Sequence, residues 1–188
     1  MRQYWDSYQD AHRDFWLAAI ESLAPFHSLV EIGCHVGPNL RRLKAAFPDA
    51  ALTGVDPCAA AVAFGQAQPE LVGVTWAATE VGPWLSAQPD RAFDIVASCY
   101  ALSYVQPPDL IGVLRDCWRL TKKALVIFEP MAFDEKTGGW INGGYVEWHH
   151  PYLWALAHVP ECRGLAADVT GYESAKHRLN GLVVVKRT

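Results

Sequence analysis

The sequence predicts an α/β fold: a three-layer, doubly wound, mostly parallel seven-stranded sheet that ends in a C-terminal antiparallel hairpin. Apolar runs typical of strands alternate with helical patterns at intervals of roughly 20–30 residues, which is the order expected of a parallel sheet with crossover helices. The strand segments are continuously apolar, as expected when helices cover both faces of a sheet. At 188 residues, the chain has the length of a single domain.

The elements of the first part of the sheet follow from this alternation. Residues 3–24 carry apolar and aromatic side chains at helical spacing until Pro25, so segment 1–27 is predicted to form an N-terminal cap helix. Five strands are expected in segment 28–130, at Ser28–Gly33, Ala51–Asp56, Val72–Ala77, Phe93–Ser98 and Ala124–Glu129. Helices are predicted between them at Pro38–Phe47, Cys58–Ala67 and Pro108–Leu120.

The pattern changes after Pro130. Segment 130–164 is rich in glycine and aromatic residues without a clear period, apart from a short helix predicted at Pro151–His158. Segment 165–188 is expected to close the sheet as a hairpin around a turn at Asn180-Gly181. Its strands are predicted at Leu165–Tyr172 and Leu182–Lys186.

Charge and composition exclude several classes of protein. Lys and Arg total 16 against 20 Asp and Glu, and this balance argues against a nucleic-acid binder, which usually shows a basic patch. No apolar run approaches 18 residues and the N-terminus lacks the apolar core of a signal peptide, so neither a membrane span nor secretion is expected. The five cysteines are odd in number and show no C-x-x-C spacing, which fits a cytoplasmic protein without disulfides or zinc.

The most informative segment follows the first strand, where Gly33 and Gly37 frame a tight turn into a helix. Glycines let the backbone approach a ligand, and a helix N-terminus supplies free N–H groups. About 19 residues later the second strand ends at Asp56, whose carboxylate can accept hydrogen bonds from two ribose hydroxyls. A nucleotide-like ligand is therefore predicted. The dinucleotide pattern G-x-G-x-x-G fails, because His35 and Pro38 stand where it requires glycine.

The pattern E-x-G-x-x-x-G, from Glu31 to Gly37, resembles motif I of the class I S-adenosylmethionine-dependent methyltransferases. The family usually has glycine where His35 stands, and His, Asn and Asp are the other residue types that best tolerate positive φ. The resemblance spans about residues 28–130. It continues through Asp56 and through the segments Val74–Glu80, Phe93–Val105 (motif IV and its extension), Leu114–Lys123 and Glu129-Pro130.

This resemblance implies a methyltransferase that uses S-adenosylmethionine, produces S-adenosylhomocysteine and methylates an oxygen or nitrogen of a small-molecule acceptor. Segment 28–130 is then the cofactor-binding core, and the implied cofactor residues are Glu31, Gly33, His35, Gly37, Asn39, Asp56, Thr79, Glu80 and Ser98. Two alternatives stay open: an NAD(P)-dependent oxidoreductase and an S-adenosylmethionine-binding module without catalysis. The failure of the dinucleotide pattern counts against the oxidoreductase. A monomer or a homodimer fits the sequence equally well.

Methyl transfer is an in-line displacement that needs a positioned nucleophile, and an oxygen or protonated amine acceptor also needs a base. The candidate catalytic residues lie at or beyond the carboxyl ends of the last parallel strands: Tyr104, His149 and His150. Each also has a structural interpretation, as a packing residue, a helix cap or a solvent-facing side chain. No metal site is predicted, because two adjacent histidines point in different directions.

Aromatic residues concentrate outside the sheet motifs. Segments 1–27 and 130–164 contain five of the eight tryptophans: Trp5, Trp16, Trp140, Trp148 and Trp154. Segment 130–164 is therefore interpreted as an aromatic substrate-cap insertion, and the two segments together as a lid over the carboxyl end of the sheet. The predicted acceptor-binding residues are Tyr4, Tyr8, Glu129 and Trp148, although Glu129 could instead complete its strand end. Such a lid indicates an acceptor that is partly apolar or cyclic.

Overall fold

A computed structural model describes residues 1–132, 138–142, 145–173 and 179–187 of the chain, with the backbone alone for 138–142, 145–146, 173 and 179. The seven strands of the main sheet are β1 (Ser28–Ile32), β2 (Ala51–Asp56), β3 (Thr75–Ala78), β4 (Phe93–Cys99), β5 (Thr121–Pro130), β8 (Ala167–Glu173) and β9 (Leu179–Lys186). A separate two-stranded sheet consists of β6 (Gly138–Asn142) and β7 (Tyr145–His149). The α-helices are α1 (Arg2–Asp6), α2 (Ala11–Glu21), α3 (Pro38–Ala46), α4 (Ala59–Gln66), α5 (Val81–Ala87), α6 (Leu110–Leu120) and α7 (Tyr152–Ala157).

The strand order of the main sheet is β3-β2-β1-β4-β5-β9-β8. β1 to β5 are mutually parallel, whereas β9 runs antiparallel to both β5 and β8. This arrangement confirms the predicted fold class. The order reverses between β1 and β4, and in doubly wound sheets ligands bind beyond the carboxyl ends of the strands at such a reversal. We call this side of the sheet the carboxyl edge and the opposite side the amino edge.

The core lies on both faces of the sheet, which gives the fold its three layers. Neighbouring residues of one strand point to opposite faces, so Leu29 and Val30 belong to two different clusters of buried side chains. One cluster includes Trp16 of α2 and Leu43 of α3, and the other includes Trp118 of α6. Within the part of the chain that the structure describes, no helix has both the length and the apolar character needed to cross a membrane.

Three elements differ from the sequence predictions. The predicted N-terminal helix is two α-helices separated by a 3₁₀ turn at Ser7–Gln9. α5 was not predicted, since its Gly82-Pro83 pair indicates a turn, although proline is tolerated in a first helical turn where N–H groups have no partner. Segment 130–149 lacks a sequence period but contains the β6–β7 hairpin.

The predicted turn at Asn180-Gly181 is wrong. Both residues lie within β9, where Asn180 pairs with Pro130 and Gly181 pairs with Glu129. A Cβ atom at Gly181 would lie 2.3 Å from the sulfur of Met131, so the glycine permits the close approach of the Met131 side chain and does not mark a turn.

The tryptophans of the two flanking segments do not share one environment. Trp5 and Trp16 are buried in the core cluster that contains Leu43, so their rings pack against the sheet, and the lid role of segment 1–27 stays a prediction. Trp154 is exposed on α7. The side chain of Trp140 lies outside the described residues.

Candidate functional site

The turn between β1 and α3 has three residues in the left-handed region: Gly33 at φ 73°, His35 at φ 47° and Gly37 at φ 81°. The amides of Gly33 and Cys34 both donate to the carbonyl of Val55 in β2, at 2.7 and 3.1 Å. His35 therefore adopts the conformation that its replacement of glycine requires. A Cβ atom at Gly33 would lie 2.1 Å from the Cβ of Ala101, so the turn also needs the absence of a side chain there.

Asp56 lies at the carboxyl end of β2 and is fixed by the backbone around it. Its Oδ2 accepts a hydrogen bond from the amide of His35 at 2.9 Å, and its Oδ1 accepts one from the amide of Cys58 at 2.8 Å. The carboxylate is buried, with 7% exposure. Each carboxylate oxygen can accept more than one hydrogen bond, so both keep acceptor capacity for a ligand.

Glu31, next to the turn, belongs to a buried polar chain. Its Oε1 accepts from the Asn39 amide at 2.6 Å, and the Asn39 carbonyl oxygen accepts from the Arg13 guanidinium at 2.6 Å. All three side chains are at most 2% exposed. The other oxygen, Oε2, is buried without a hydrogen-bond partner among the described residues. Burial raises the pKa of Glu31 to about 7.

Arg13 connects this chain to the N-terminal elements. Its guanidinium also donates to the carbonyl and hydroxyl of Ser7, at 2.9 and 3.1 Å, and lies 5.2 Å from the ring centroid of Tyr4. The Tyr4 ring in turn meets the His35 ring edge-on at 4.6 Å. α1 and α2 are thereby held against the glycine turn, which places the predicted Tyr4 at the site.

Three further residues that were predicted to bind the cofactor lie at neighbouring strands. The amide of Thr79, which follows β3, donates to the Asp56 carbonyl at 3.1 Å. Glu80 comes next in the chain and is exposed. Ser98 is buried in β4, and its carbonyl accepts from the indole of Trp16 at 3.2 Å.

Beside the turn, at the carboxyl edge, lies a group of five rings that we call the ring cluster: His12, Phe15, Tyr100, Phe128 and Tyr172. His12 lies 5.3 Å from Tyr100 and 6.5 Å from Phe128, between ring centroids. Burial lowers the pKa of His12 to about 4, so this imidazole is neutral at physiological pH. Burial raises the pKa of the Tyr100 phenol.

Sequence reasoning missed His12 and Arg13 as site residues. His12 lies at one of the helically spaced positions of segment 1–27, a pattern that by itself predicts only packing. The sequence nevertheless carries a signal for both residues. His12 lies within an apolar stripe, and helical spacing turns the next residue, Arg13, toward the sheet.

Glu129 is fully buried at the end of β5, and its carboxylate holds the turn after β4 in place by accepting hydrogen bonds from its backbone amides. Its Oε1 accepts from the amides of Ala101 and Leu102 at 2.9 and 3.0 Å, and its Oε2 accepts from the amide of Ser103 at 3.2 Å. Burial outweighs these bonds and raises its pKa to about 7. Contact between Glu129 and an acceptor stays a prediction.

The two predicted histidines differ in environment. His150 is fully buried, with its Nε2 3.0 Å from the carbonyl of Val105, and burial lowers its pKa. Its own carbonyl accepts from the amide of Ala132 at 3.0 Å, so it joins two segments. His149 is half-buried at the end of β7, and Tyr104 is 50% exposed in a 3₁₀ turn.

The remaining predicted acceptor residues are not gathered at one point. Trp148 is half-buried on β7, and its indole nitrogen has no hydrogen-bond partner among the described residues. Tyr8 lies against the outer surface of α3, where the guanidinium of Arg41 covers its ring at 3.8 Å. The structure therefore brings Tyr4, and not Tyr8, to the glycine turn.

Comparison with known proteins identifies the family. The model of a methyltransferase domain matches residues 29–124. No curated protein sequence matches this chain significantly. A solved S-adenosylmethionine-dependent methyltransferase from Mesorhizobium loti has a TM-score of 0.69 at 18% identity, with 96% of this chain and 100% of that chain covered. One from Archaeoglobus fulgidus has a TM-score of 0.73 at 15% identity, with 98% of each chain covered.

A third similar structure is a Burkholderia thailandensis 1,6-didemethyltoxoflavin-N1-methyltransferase with bound 1,6-didemethyltoxoflavin and S-adenosylhomocysteine. It has a TM-score of 0.71 at 16% identity, with 100% of this chain and 86% of that chain covered. The domain match spans half of the chain, and the fold is that of the class I S-adenosylmethionine-dependent methyltransferases. This chain belongs to that family. Its membership confirms the predicted cofactor of the domain, S-adenosylmethionine.

Proposed function

We propose that this protein transfers the methyl group of S-adenosylmethionine to an oxygen or nitrogen of a small-molecule acceptor and releases S-adenosylhomocysteine. The observation that carries the proposal is the juxtaposition of two oriented acids at one turn. Asp56 is held by the amides of His35 and Cys58, and Glu31 keeps one buried oxygen without a partner.

These residues fit the cofactor. The free lone pairs of Asp56 suit two ribose hydroxyls, and the unpartnered Oε2 of Glu31 suits an ammonium group. Thr79 and Glu80 follow β3 next to Asp56 and are assigned to the adenine end. When bound, the cofactor supplies an electrophilic methyl group on a sulfonium. The chain binds and orients it, and the face of the Tyr4 ring favours positive charge nearby.

The ring cluster is assigned to the acceptor, since it lies at the carboxyl ends of β4 and β5. Its apolar faces suit a cyclic molecule. The neutral imidazole of His12 can take a proton, as can His149 on β7, and Tyr104 lies in the turn that Glu129 holds. The structural bonds of His150 make it a positioning residue for the segment around Val105.

Thermal unfolding with four ligands in parallel tests the cofactor assignment: S-adenosylmethionine, S-adenosylhomocysteine, NADH and NADPH. The first two should stabilise the protein by ~2.7 kcal/mol at 100 times their Kd. The Asp56→Ala variant should bind S-adenosylhomocysteine at least about tenfold more weakly, whereas Asp49→Ala, at an exposed position, should bind it normally. Stabilisation by a nicotinamide cofactor alone would make the oxidoreductase the correct alternative.

Release of S-adenosylhomocysteine in the presence of acceptors separates an enzyme from a binding module. We expect turnover with cyclic phenols or amines, and a loss of about 10²-fold in turnover in His12→Ala or His149→Ala with cofactor affinity retained. Cofactor binding without turnover across phenols, amines, sugars and carboxylic acids would favour the module without catalysis.

A further inference from the structure

A polar recess lies at the amino edge of the sheet. We call it the amino-edge recess; its volume is about 310 Å³, and its lining residues are Arg91, Trp118, Lys122, Glu161, Leu165 and Arg187. Lys122 stands near the start of β5, whereas the candidate site lies beyond the end of that strand. The ten residues of β5, at about 3.3 Å each, separate the two edges by roughly 30 Å. The amino-edge recess is therefore a separate place in the molecule.

Three cationic side chains and one carboxylate line the recess, and the ammonium of Lys122 also forms an ion pair with Asp94 at 3.6 Å, so the two arginines carry the excess positive charge. Arg187 is the best-fixed of them. Its Nε donates to the carbonyl of Thr121 at 2.7 Å, its Nη2 donates to the carbonyl of Trp118 at 2.8 Å, and its Cζ lies 4.2 Å from the ring centroid of Trp118. A guanidinium has five N–H groups, so these bonds leave donors available for a ligand.

Arg91 faces the same recess without a partner of its own. Among the described residues, its side chain has neither a hydrogen bond nor an ion pair. Burial and the charge of Arg91 both lower the pKa of Arg187, which indicates that the two guanidinium groups repel each other across the recess. An anion placed between them would turn this repulsion into two attractions.

Trp118 adds a buried donor. Its side chain is 1% exposed, and its indole Nε1 has no hydrogen-bond partner in the described part of the chain. A buried N–H group without an acceptor destabilises the folded state, so native proteins rarely keep one. Trp118 itself lines the recess, where its ring supports the guanidinium of Arg187.

We propose that the amino-edge recess binds the phosphate group of a small molecule, with Arg91, Arg187 and Lys122 as its donors. Phosphate suits this lining because guanidinium forks match its oxygens and because its negative charge offsets the mutual repulsion of Arg91 and Arg187. The recess is larger than one phosphate group and therefore has room for the organic part of an ester. Glu161 opposes the anion and limits its affinity.

The experiment uses the full chain with inorganic phosphate as the probe, and measures the thermal midpoint and the heat of binding at constant ionic strength in sodium chloride. Phosphate at ten times its Kd should raise the midpoint by about 3 °C. Arg91→Gln should weaken binding at least tenfold, because it removes one partner of the anion. Arg163→Gln removes a nearby exposed charge outside the lining and should bind phosphate normally.

The opposite change gives a second readout that misfolding cannot imitate. Glu161→Gln removes the one carboxylate that lines the recess among the described residues and should tighten phosphate binding about threefold or more. The proposal is overturned if wild type shows no saturable binding, if Arg91→Gln binds like wild type, or if citrate stabilises the protein and phosphate does not. S-adenosylhomocysteine affinity should be equal in wild type and Arg91→Gln, so this test is independent of the proposed function.

Discussion

Glu31 is the residue in which burial, charge and ligand binding are most tightly connected. Its pKa of about 7 means that its carboxyl group is largely protonated at pH 6 and largely ionised at pH 8. An ammonium group beside Oε2 is attracted only by the ionised form. We therefore expect the affinity for S-adenosylhomocysteine to rise roughly tenfold between pH 6 and pH 8, since the ionised fraction rises by about that factor.

The control is Glu31→Gln, which keeps the size of the side chain and cannot ionise. Calorimetric titrations at pH 6, 7 and 8 should give a steep dependence in wild type and a shallow one in the variant. Equal pH dependence in the two proteins would show that Glu31 does not interact with the ammonium group of the ligand.

Gly33 offers a second prediction for a single residue. Alanine there must adopt φ near 73° and bring its Cβ to within 2.1 Å of the Cβ of Ala101. Overpacking and left-handed strain together should lower the free energy of unfolding by about 2–4 kcal/mol. Gly112→Ala is the matched control, because Gly112 lies in α6 with no atom near its added Cβ, and should raise stability by about 0.5–1 kcal/mol. Urea denaturation measures both changes.

The junction between β7 and α7 shows how one element fixes another. His150 connects to Val105 through its ring and to Ala132 through its carbonyl, so it positions the segment after β4 relative to the insertion. His150→Ala removes a buried side chain and a hydrogen bond and should lower the free energy of unfolding by about 2–3 kcal/mol.

His149→Ala is the comparison at the neighbouring, half-buried position, and we expect a change below about 1 kcal/mol there. Guanidinium denaturation of the two variants distinguishes the residues. A stability loss at His149 as large as that at His150 would contradict this division between a positioning residue and a candidate catalytic residue.

Elements with local signals were predictable, and contacts between distant elements were not. β1 and β4 are continuous apolar runs, so their positions follow from the sequence, and Glu31 and Asp56 follow from the strands that present them. The roles of Arg13 and His12 depend on α2 folding against the turn and the sheet, a contact that no local pattern encodes. The Asn180-Gly181 pair shows the converse. It is a strong turn signal, yet it lies within β9, where Gly181 makes room for the side chain of Met131.

For the molecule as a whole, two buried acids make stability depend on pH. Burial raises the pKa of Glu31 and Glu129 from an ordinary value of 4.5 to about 7 in the folded protein. A raised carboxyl pKa contributes stability that is complete below pH 4.5 and is lost as the pH rises through 7. Each group contributes on the order of 3 kcal/mol across that window.

Histidines with lowered pKa values, such as His12, have the opposite effect on stability. Their contribution to the free energy of unfolding is lost as the pH falls from 6.5 to 4. The contribution of one acid to stability is therefore measured as the difference between wild type and a variant that lacks this acid. Urea unfolding of wild type and Glu129→Gln at pH 5, 6, 7 and 8 should show the wild type losing stability relative to the variant as the pH rises. A constant difference across this range would mean that Glu129 is already ionised at pH 5, and that the three amides that donate to it outweigh the cost of its burial.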